Sequence, residues 1–284
     1  MQPLNKINHL AKKKFMDQFS TRSNHEIDYR IIGEEMQYVE VELDPNETAV
    51  AEAGSFLLMD DGIQMQTIFG DGSAQNQGLM GKLFSAGKRL LTGESLFMTA
   101  FTNMSYGKKR VSFASPYPGK IIPLDLQQLD GRIVCQKDSF LCAAKGVSVG
   151  IELQRKLGTG LFGGEGFIMQ KLEGDGMAFV HAGGHVFERY LTPGEVLKVD
   201  TGCVVAYTST VDFDIQFVGG IKNSIFGGEG LFFATLRGPG KVWLQTLPIS
   251  RLASRILTYG TTNRREEGSI LGGLGNLLDG DGFH

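Results

Sequence analysis

Three glutamates recur within one short motif, and their side chains are candidates for a shared site. Glu94, Glu165 and Glu229 each follow a glycine and precede a small residue and three apolar residues. If an internal symmetry axis brought the carboxylates together, they could bind a cation or hold a shared proton. The alternative, which we favour, is that each carboxylate accepts backbone N–H bonds in its own glycine turn or points into solvent.

Two histidines have a spacing that is compatible with zinc binding. His181 and His185 flank Ala182-Gly183-Gly184, and on a helix this spacing would place both rings on one face. Two glycines in a turn-like context argue against a helix, and no cysteine or third histidine lies nearby in the sequence. We therefore predict a surface hairpin with incidental histidines, and we expect neither a metal nor a cofactor.

Other patterns that could indicate catalysis are weaker still. The glycine-rich run from Gly158 to Gly166 leads into a strand-like apolar run and lacks the Lys-Ser/Thr pair of a nucleotide-binding loop. No Ser-His-Asp or Cys-His arrangement stands out. Cys142 and Cys203 lie in apolar runs that are typical of buried thiols. We accordingly expect a protein that is not an enzyme.

An interaction patch is suggested by the region from about residue 69 to 88, which is rich in Gly, Ser, Asn and Gln. Near its end, apolar and basic residues alternate in a way that could form a basic amphipathic patch for a membrane surface or a protein groove. The candidate residues are Leu83, Phe84, Lys88 and Arg89. The alternative is a lid that packs on the protein's own β core.

The elements that must position these residues are indicated by composition. The 284 residues include 39 Gly but 8 Pro and a single Trp, which favours many tight turns between short strands. A formal net charge of −3 provides no overall positive field, so we expect no nucleic-acid partner. Three cysteines, an odd number, argue against a secreted disulfide framework, and we expect a cytoplasmic protein.

An internal repeat accounts for the spacing of the three glutamates. A second glycine cluster follows each Gly-Glu motif at a matching distance, and strict alternation of apolar residues over 147–153 and 211–217 predicts half-buried strands. We predict a single three-repeat domain over 27–257, with units at about 38–115, 120–190 and 194–250. We expect 1–26 to be an N-terminal extension and 258–284 a flexible, glycine-rich tail.

The same motifs carry a family resemblance. The runs at 91–97, 162–166 and 226–230, together with Pro-Gly-Lys-Ile at 118–121, resemble the mitochondrial-biogenesis family named for altered inheritance of mitochondria. Its prokaryotic members are known as a domain of unknown function. The resemblance implies an all-β, three-repeat, pseudo-threefold sandwich or barrel. This architecture is similar to the trp RNA-binding attenuation protein, a short double-stranded β-helix type.

No activity comes with this resemblance. Eukaryotic members are linked to mitochondrial inner-membrane organisation, but the N-terminus here is not Arg-rich and contains Asp17, so we expect a prokaryotic cytoplasmic member. We predict a non-enzymatic scaffold or interaction protein with an unknown protein partner, and we leave peripheral membrane contact and homo-oligomer formation open. The alternative is a small-ligand or metal-binding module at the pseudo-threefold axis.

Overall fold

The computed structural model describes residues 23–52, 54–69, 97–155, 167–217, 232–257 and 259. Most of these residues lie in antiparallel β-strands, which confirms the predicted β class. Strands confirm both alternating patterns, at Ser148–Arg155 and Asp212–Phe217. A helical segment over 249–257 was not predicted.

The strands are numbered in chain order. The first seven are β1 (Asp28–Ile32), β2 (Tyr38–Leu43), β3 (Thr48–Glu52), β4 (Phe56–Met59), β5 (Ile63–Phe69), β6 (Phe97–Asn103) and β7 (Lys109–Ala114). The next six are β8 (Gly119–Asp125), β9 (Arg132–Gln136), β10 (Phe140–Ala144), β11 (Ser148–Arg155), β12 (Phe167–Glu173) and β13 (Met177–Gly183). The last six are β14 (Val186–Leu191), β15 (Val196–Asp200), β16 (Val204–Thr208), β17 (Asp212–Phe217), β18 (Phe232–Arg237) and β19 (Gly240–Gln245). Short 3-10 turns occupy Leu126–Leu129, Lys137–Ser139 and Thr201–Cys203.

The same strand pairings occur in three consecutive segments, β2–β7, β8–β13 and β14–β19. In each segment the first strand pairs with the sixth, the second with the fifth, the third with the sixth, and the fourth with the fifth. The third strand also carries an irregularity in register against the sixth at the same place in every segment. The glycine turns therefore join equivalent strands in the three segments.

Two further pairings, which we call seams, join one segment to the next. The first seam pairs β3 with β10, and the second pairs β9 with β16. The seams produce two six-stranded sheets, β5-β6-β3-β10-β13-β8 and β11-β12-β9-β16-β19-β14. The remaining strands form a four-stranded sheet, β1-β2-β7-β4, and a three-stranded sheet, β15-β18-β17. None of these sheets closes within the described residues, so the threefold arrangement about an axis and the attenuation-protein likeness stay predictions.

The apolar core is divided into three clusters. The first contains side chains from all three segments, among them Val50, Leu172 and Trp243. The second lies mainly in the first segment and includes Phe101 and Phe113. The third lies mainly in the last segment and includes Leu236. Contact between the end segments and the middle one thus accounts for much of the buried apolar surface.

Residues 23–27 cross from β1 to the turns of the middle segment, and we call them the N-terminal strap. The carboxylate of Asp175 accepts hydrogen bonds from the backbone N–H groups of Ser23 (2.6 Å) and Asn24 (3.0 Å). Ile27 is buried in the second cluster. The last residues of the predicted N-terminal extension, 23–26, therefore contact the middle segment.

Candidate functional site

The three glutamates and the four residues of the predicted interaction patch lie outside the described residues. Glu94, Glu165 and Glu229 fall between the paired strands β5–β6, β11–β12 and β17–β18, respectively. Leu83, Phe84, Lys88 and Arg89 fall in the first of these connections. Their convergence and their contacts stay predictions, and the same holds for the ligand-binding alternative that depends on them.

The predicted surface hairpin around the two histidines is wrong. Strand β13 pairs with β8 and β10, whereas β14 pairs with β19 in another sheet, and only one of the two histidines is exposed. His181 lies within β13 and is buried, whereas His185 follows the strand and is exposed. The physical reason is that the ring of His181 packs against Tyr117, which follows β7. Neither ring nitrogen of His181 has a partner with good hydrogen-bond geometry, and burial lowers the pKa of His181 to about 4. His181 is therefore a neutral core residue, and it is not placed to act as a metal ligand together with His185.

An acidic side chain is partly buried close to the first seam. Glu52 ends β3, and burial, helped by the negative charge of Asp138, raises the pKa of the Glu52 carboxyl to about 7. The corresponding position at the second seam is Gln136, since the residues paired with Met98 and Met169 are Glu52 and Gln136. A neutral amide therefore already occupies the equivalent site.

A groove of 320 Å³ lies at the second seam, between β9, β11, β16 and β17. The guanidinium of Arg132 in this groove is paired with carboxylates: Nη2 donates to Oε2 of Glu152 at 2.7 Å, and Nη1 lies 3.6 Å from Oε1 of Glu173. Tyr207 stacks on Phe213 with 5.2 Å between ring centroids, and burial raises the pKa of the Tyr207 hydroxyl. Because two carboxylates already neutralise Arg132, this groove is poorly suited to an anionic ligand.

The most unusual surface feature is strand β4. All four of its side chains are large and apolar, and each is exposed: Phe56 by 42%, Leu57 by 46%, Leu58 by 49% and Met59 by 37%. Strand β4 pairs on one side with β7, and its other side is the edge of its sheet. An exposed apolar edge strand offers unpaired backbone groups and apolar side chains to another strand.

The same position is buried in the other two segments. Strands β10 and β16 are the third strands of their segments, as β4 is of the first, and both lie at seams. Phe140 is 4% exposed and Val204 is fully buried. The sequence gives no sign of this exposure, because four successive apolar residues are typical of a buried strand.

The thiols differ in their burial. The buried position predicted for Cys142 is confirmed, and burial raises its pKa well above the ordinary value. Cys203 is only half-buried, with its sulfur 3.7 Å from Nη2 of Arg251.

Among the described residues, no group of three or more His, Cys, Asp or Glu side chains is arranged to hold a metal ion. No helix in the described part of the chain has the length and apolar composition needed to cross a bilayer.

Comparison with known proteins identifies relatives over most of the chain. The family model described as mitochondrial biogenesis AIM24 matches residues 29–247. An uncharacterised protein of Streptococcus pyogenes serotype M6 is 30% identical over 238 residues, which is 82% of this chain and 91% of that protein. A crystal structure of a Streptococcus pyogenes protein superposes with a TM-score of 0.63 and 24% identity, covering 82% of this chain and all of that one. This last likeness concerns the fold.

Proposed function

The chain belongs to the mitochondrial biogenesis AIM24 family, and on this premise we propose that it is a non-enzymatic scaffold that binds a protein partner through the exposed edge of β4. The observation that carries the proposal is the exposure of four successive apolar side chains on one edge strand. Apolar surface of this kind is costly in water unless another molecule covers it. The proposal includes a cytoplasmic location.

The proposal also retains the pseudo-threefold, three-repeat architecture similar to the attenuation protein. It is supported by the recurrence of four strand pairings and of one register irregularity in every segment. The connections between the fourth and fifth strands differ in length among the three segments, while the pairing of these strands stays the same. These properties suit a scaffold better than a catalyst, since catalysis needs a few reactive groups held together.

The proposal is tested by affinity isolation of the tagged protein from its own source, followed by quantitative mass spectrometry. We expect a stoichiometric protein partner with the wild-type chain and a loss of at least about tenfold with Leu58→Lys, because the ammonium group disfavours an apolar contact. Met65→Lys is the matched control, since Met65 is exposed to a similar degree (56%) but lies on β5.

Two outcomes would contradict the proposed function. Equal recovery of every stoichiometric partner with Leu58→Lys and wild type would exclude β4 as the binding surface. A stoichiometric small molecule or metal ion in native mass spectra, without a protein partner, would favour the ligand-binding alternative instead.

A further inference from the structure

We propose that β4 of one copy pairs antiparallel with β15 of a second copy and so forms a third seam between molecules. The inference rests on the proposed interaction function and names the partner as another copy of this chain. It follows from which strands the two internal seams join and from which equivalent strands have one edge without a neighbouring strand.

Each internal seam joins the third strand of one segment to the second strand of the preceding segment. Strand β10 pairs in this way with β3, and β16 with β9. Strand β4 is the third strand of the first described segment, and β15 is the second strand of the last. Both strands lie at the edges of their sheets within the described residues. Each of them therefore presents one half of a seam that is not used there.

The two smaller sheets match the halves of the larger ones. The six-stranded sheet β5-β6-β3-β10-β13-β8 consists of the fourth, fifth and second strands of one segment and the third, sixth and first of the next. The sheet β15-β18-β17 has the composition of the first half, and β2-β7-β4 that of the second. Pairing β15 with β4 would complete a third sheet of the same order, with β1 added at its edge.

The internal seams also specify the register. Leu58 corresponds to Cys142 and Ala206, because all three follow the register irregularity of their strands. Val199 corresponds to Ala51 and Cys135 by its place in the pairing of second and fifth strands. Cys142 faces Ala51, and Ala206 faces Cys135. The third seam should therefore place Leu58 opposite Val199.

This pairing would bury the surface that the structure leaves exposed. The internal counterparts of Leu58, Cys142 and Ala206, are fully buried, whereas Leu58 is 49% exposed. In the same register Met59 faces Lys198, whose methylene groups can cover an apolar neighbour while the ammonium group stays in water. Backbone pairing and apolar burial thus act together at one edge.

A second copy is the occupant because the two edges belong to different ends of one chain and are not paired with each other within the described residues. A closed pseudo-threefold body would instead pair them inside one chain, and the double variant described below distinguishes the two arrangements. Both end segments pair with the middle segment. The contact joins unlike surfaces head to tail, so its repetition gives a closed ring or an open filament.

The test is disulfide cross-linking between two single-cysteine-replacement variants in a Cys203→Ser background. Leu58→Cys and Val199→Cys place cysteine where Cys142 and Cys135 occur at the internal seams, so both should be tolerated. When the two purified proteins are mixed and oxidised, we expect a covalent dimer at twice the chain mass. Each variant alone should give at least about tenfold less dimer.

Light scattering on the purified wild-type protein gives an independent measurement. We expect a mass that is a multiple of 31.0 kDa, reduced to one chain by Leu58→Lys and unchanged by Met65→Lys. The proposal is overturned if the wild type is monomeric and the mixture forms no cross-link. It is also overturned if a chain that carries both Leu58→Cys and Val199→Cys forms the disulfide within itself. Either result leaves the affinity isolation free to detect a different protein on β4, so the two proposals can fail separately.

Discussion

The rings of Tyr117 and His181 meet edge to face, with 4.4 Å between their centroids and 84° between their planes. This contact lies where the first segment leads into the second, and it removes the His181 ring from water. A buried imidazole is neutral because its charged form would lose hydration, and the pH dependence of stability follows from that.

We predict that His181 makes the protein less stable as the pH falls. Its pKa is about 4 in the folded chain against an ordinary value of 6.5, so between these values the unfolded chain binds more protons. Between pH 7 and pH 5 this should cost about 2 kcal/mol of unfolding free energy. In urea titrations, the unfolding free energy of His181→Gln should fall by about 2 kcal/mol less than that of the wild type between pH 7 and pH 5. His185→Gln, an exposed control, should behave as wild type, and an undiminished difference in His181→Gln would refute the assignment.

Glu52 should act with the opposite sign. Its pKa is raised to about 7 from 4.5, so the unfolded chain releases its proton first as the pH rises through this window, and stability is lost. We expect Glu52→Gln to raise the unfolding free energy at pH 8 by roughly 2–3 kcal/mol and to have little effect at pH 4. The control is Glu34→Gln at an exposed position. A gain that is the same at both pH values would indicate a cause other than ionisation.

Gly119 should not tolerate a side chain. A Cβ there would overlap the carbonyl oxygen of Ala182 and lie 2.7 Å from Nε2 of His181. Since the overlap is with the backbone of the paired strand β13, we expect Gly119→Ala to cost roughly 2–4 kcal/mol. Gly107→Ala is the control, because nothing lies within 4 Å of a Cβ at Gly107. Thermal unfolding measures both, and similar melting temperatures for the two variants would count against the steric argument.

The N-terminal strap should be released by Asn24→Ala. With its amide oxygen towards the turns, Asn24 accepts hydrogen bonds from the N–H groups of Asp175, Val147 and Gly176 at 3.2–3.3 Å. Gly146 lies beside it with φ of 106°, a conformation that glycine adopts without strain. The N–H of Val147 also donates to the carbonyl oxygen of Ala144 (3.2 Å), so the loss falls mainly on Asp175 and Gly176. Removing the amide oxygen should cost about 1–2 kcal/mol.

Hydrogen exchange tests this prediction locally. Amides of residues 23–27 should exchange faster in Asn24→Ala, and so should the N–H group of Gly176. Ser23→Ala removes one exposed hydroxyl contact to Asp175 (3.2 Å) and should change little. Unchanged exchange in Asn24→Ala would show that the other contacts, including those of Asp175 and the hydrogen bond from the His25 N–H to the Lys145 carbonyl (3.0 Å), are enough to hold the strap.

The sequence predicts the strands better than their surroundings. Alternation over 147–153 and 211–217 identified β11 and β17, because one face of each is buried and the other is not. It could not distinguish β4 from β10 and β16, since all three are apolar and differ only in whether a neighbouring strand is present. His181 was misplaced for a related reason: the residue that covers it, Tyr117, lies 64 positions earlier in the chain.

The two internal seams pair equivalent strands but use different residues. Ala51 faces Cys142 at the first seam, while Cys135 faces Ala206 at the second. In an assembly of identical subunits, a single substitution changes every interface simultaneously, so no interface can be adjusted alone. Here the segments are joined covalently in one chain, and each junction is encoded separately. Mutation can therefore strengthen or loosen one junction while leaving the other as it was, a freedom that symmetric rings of separate chains do not have.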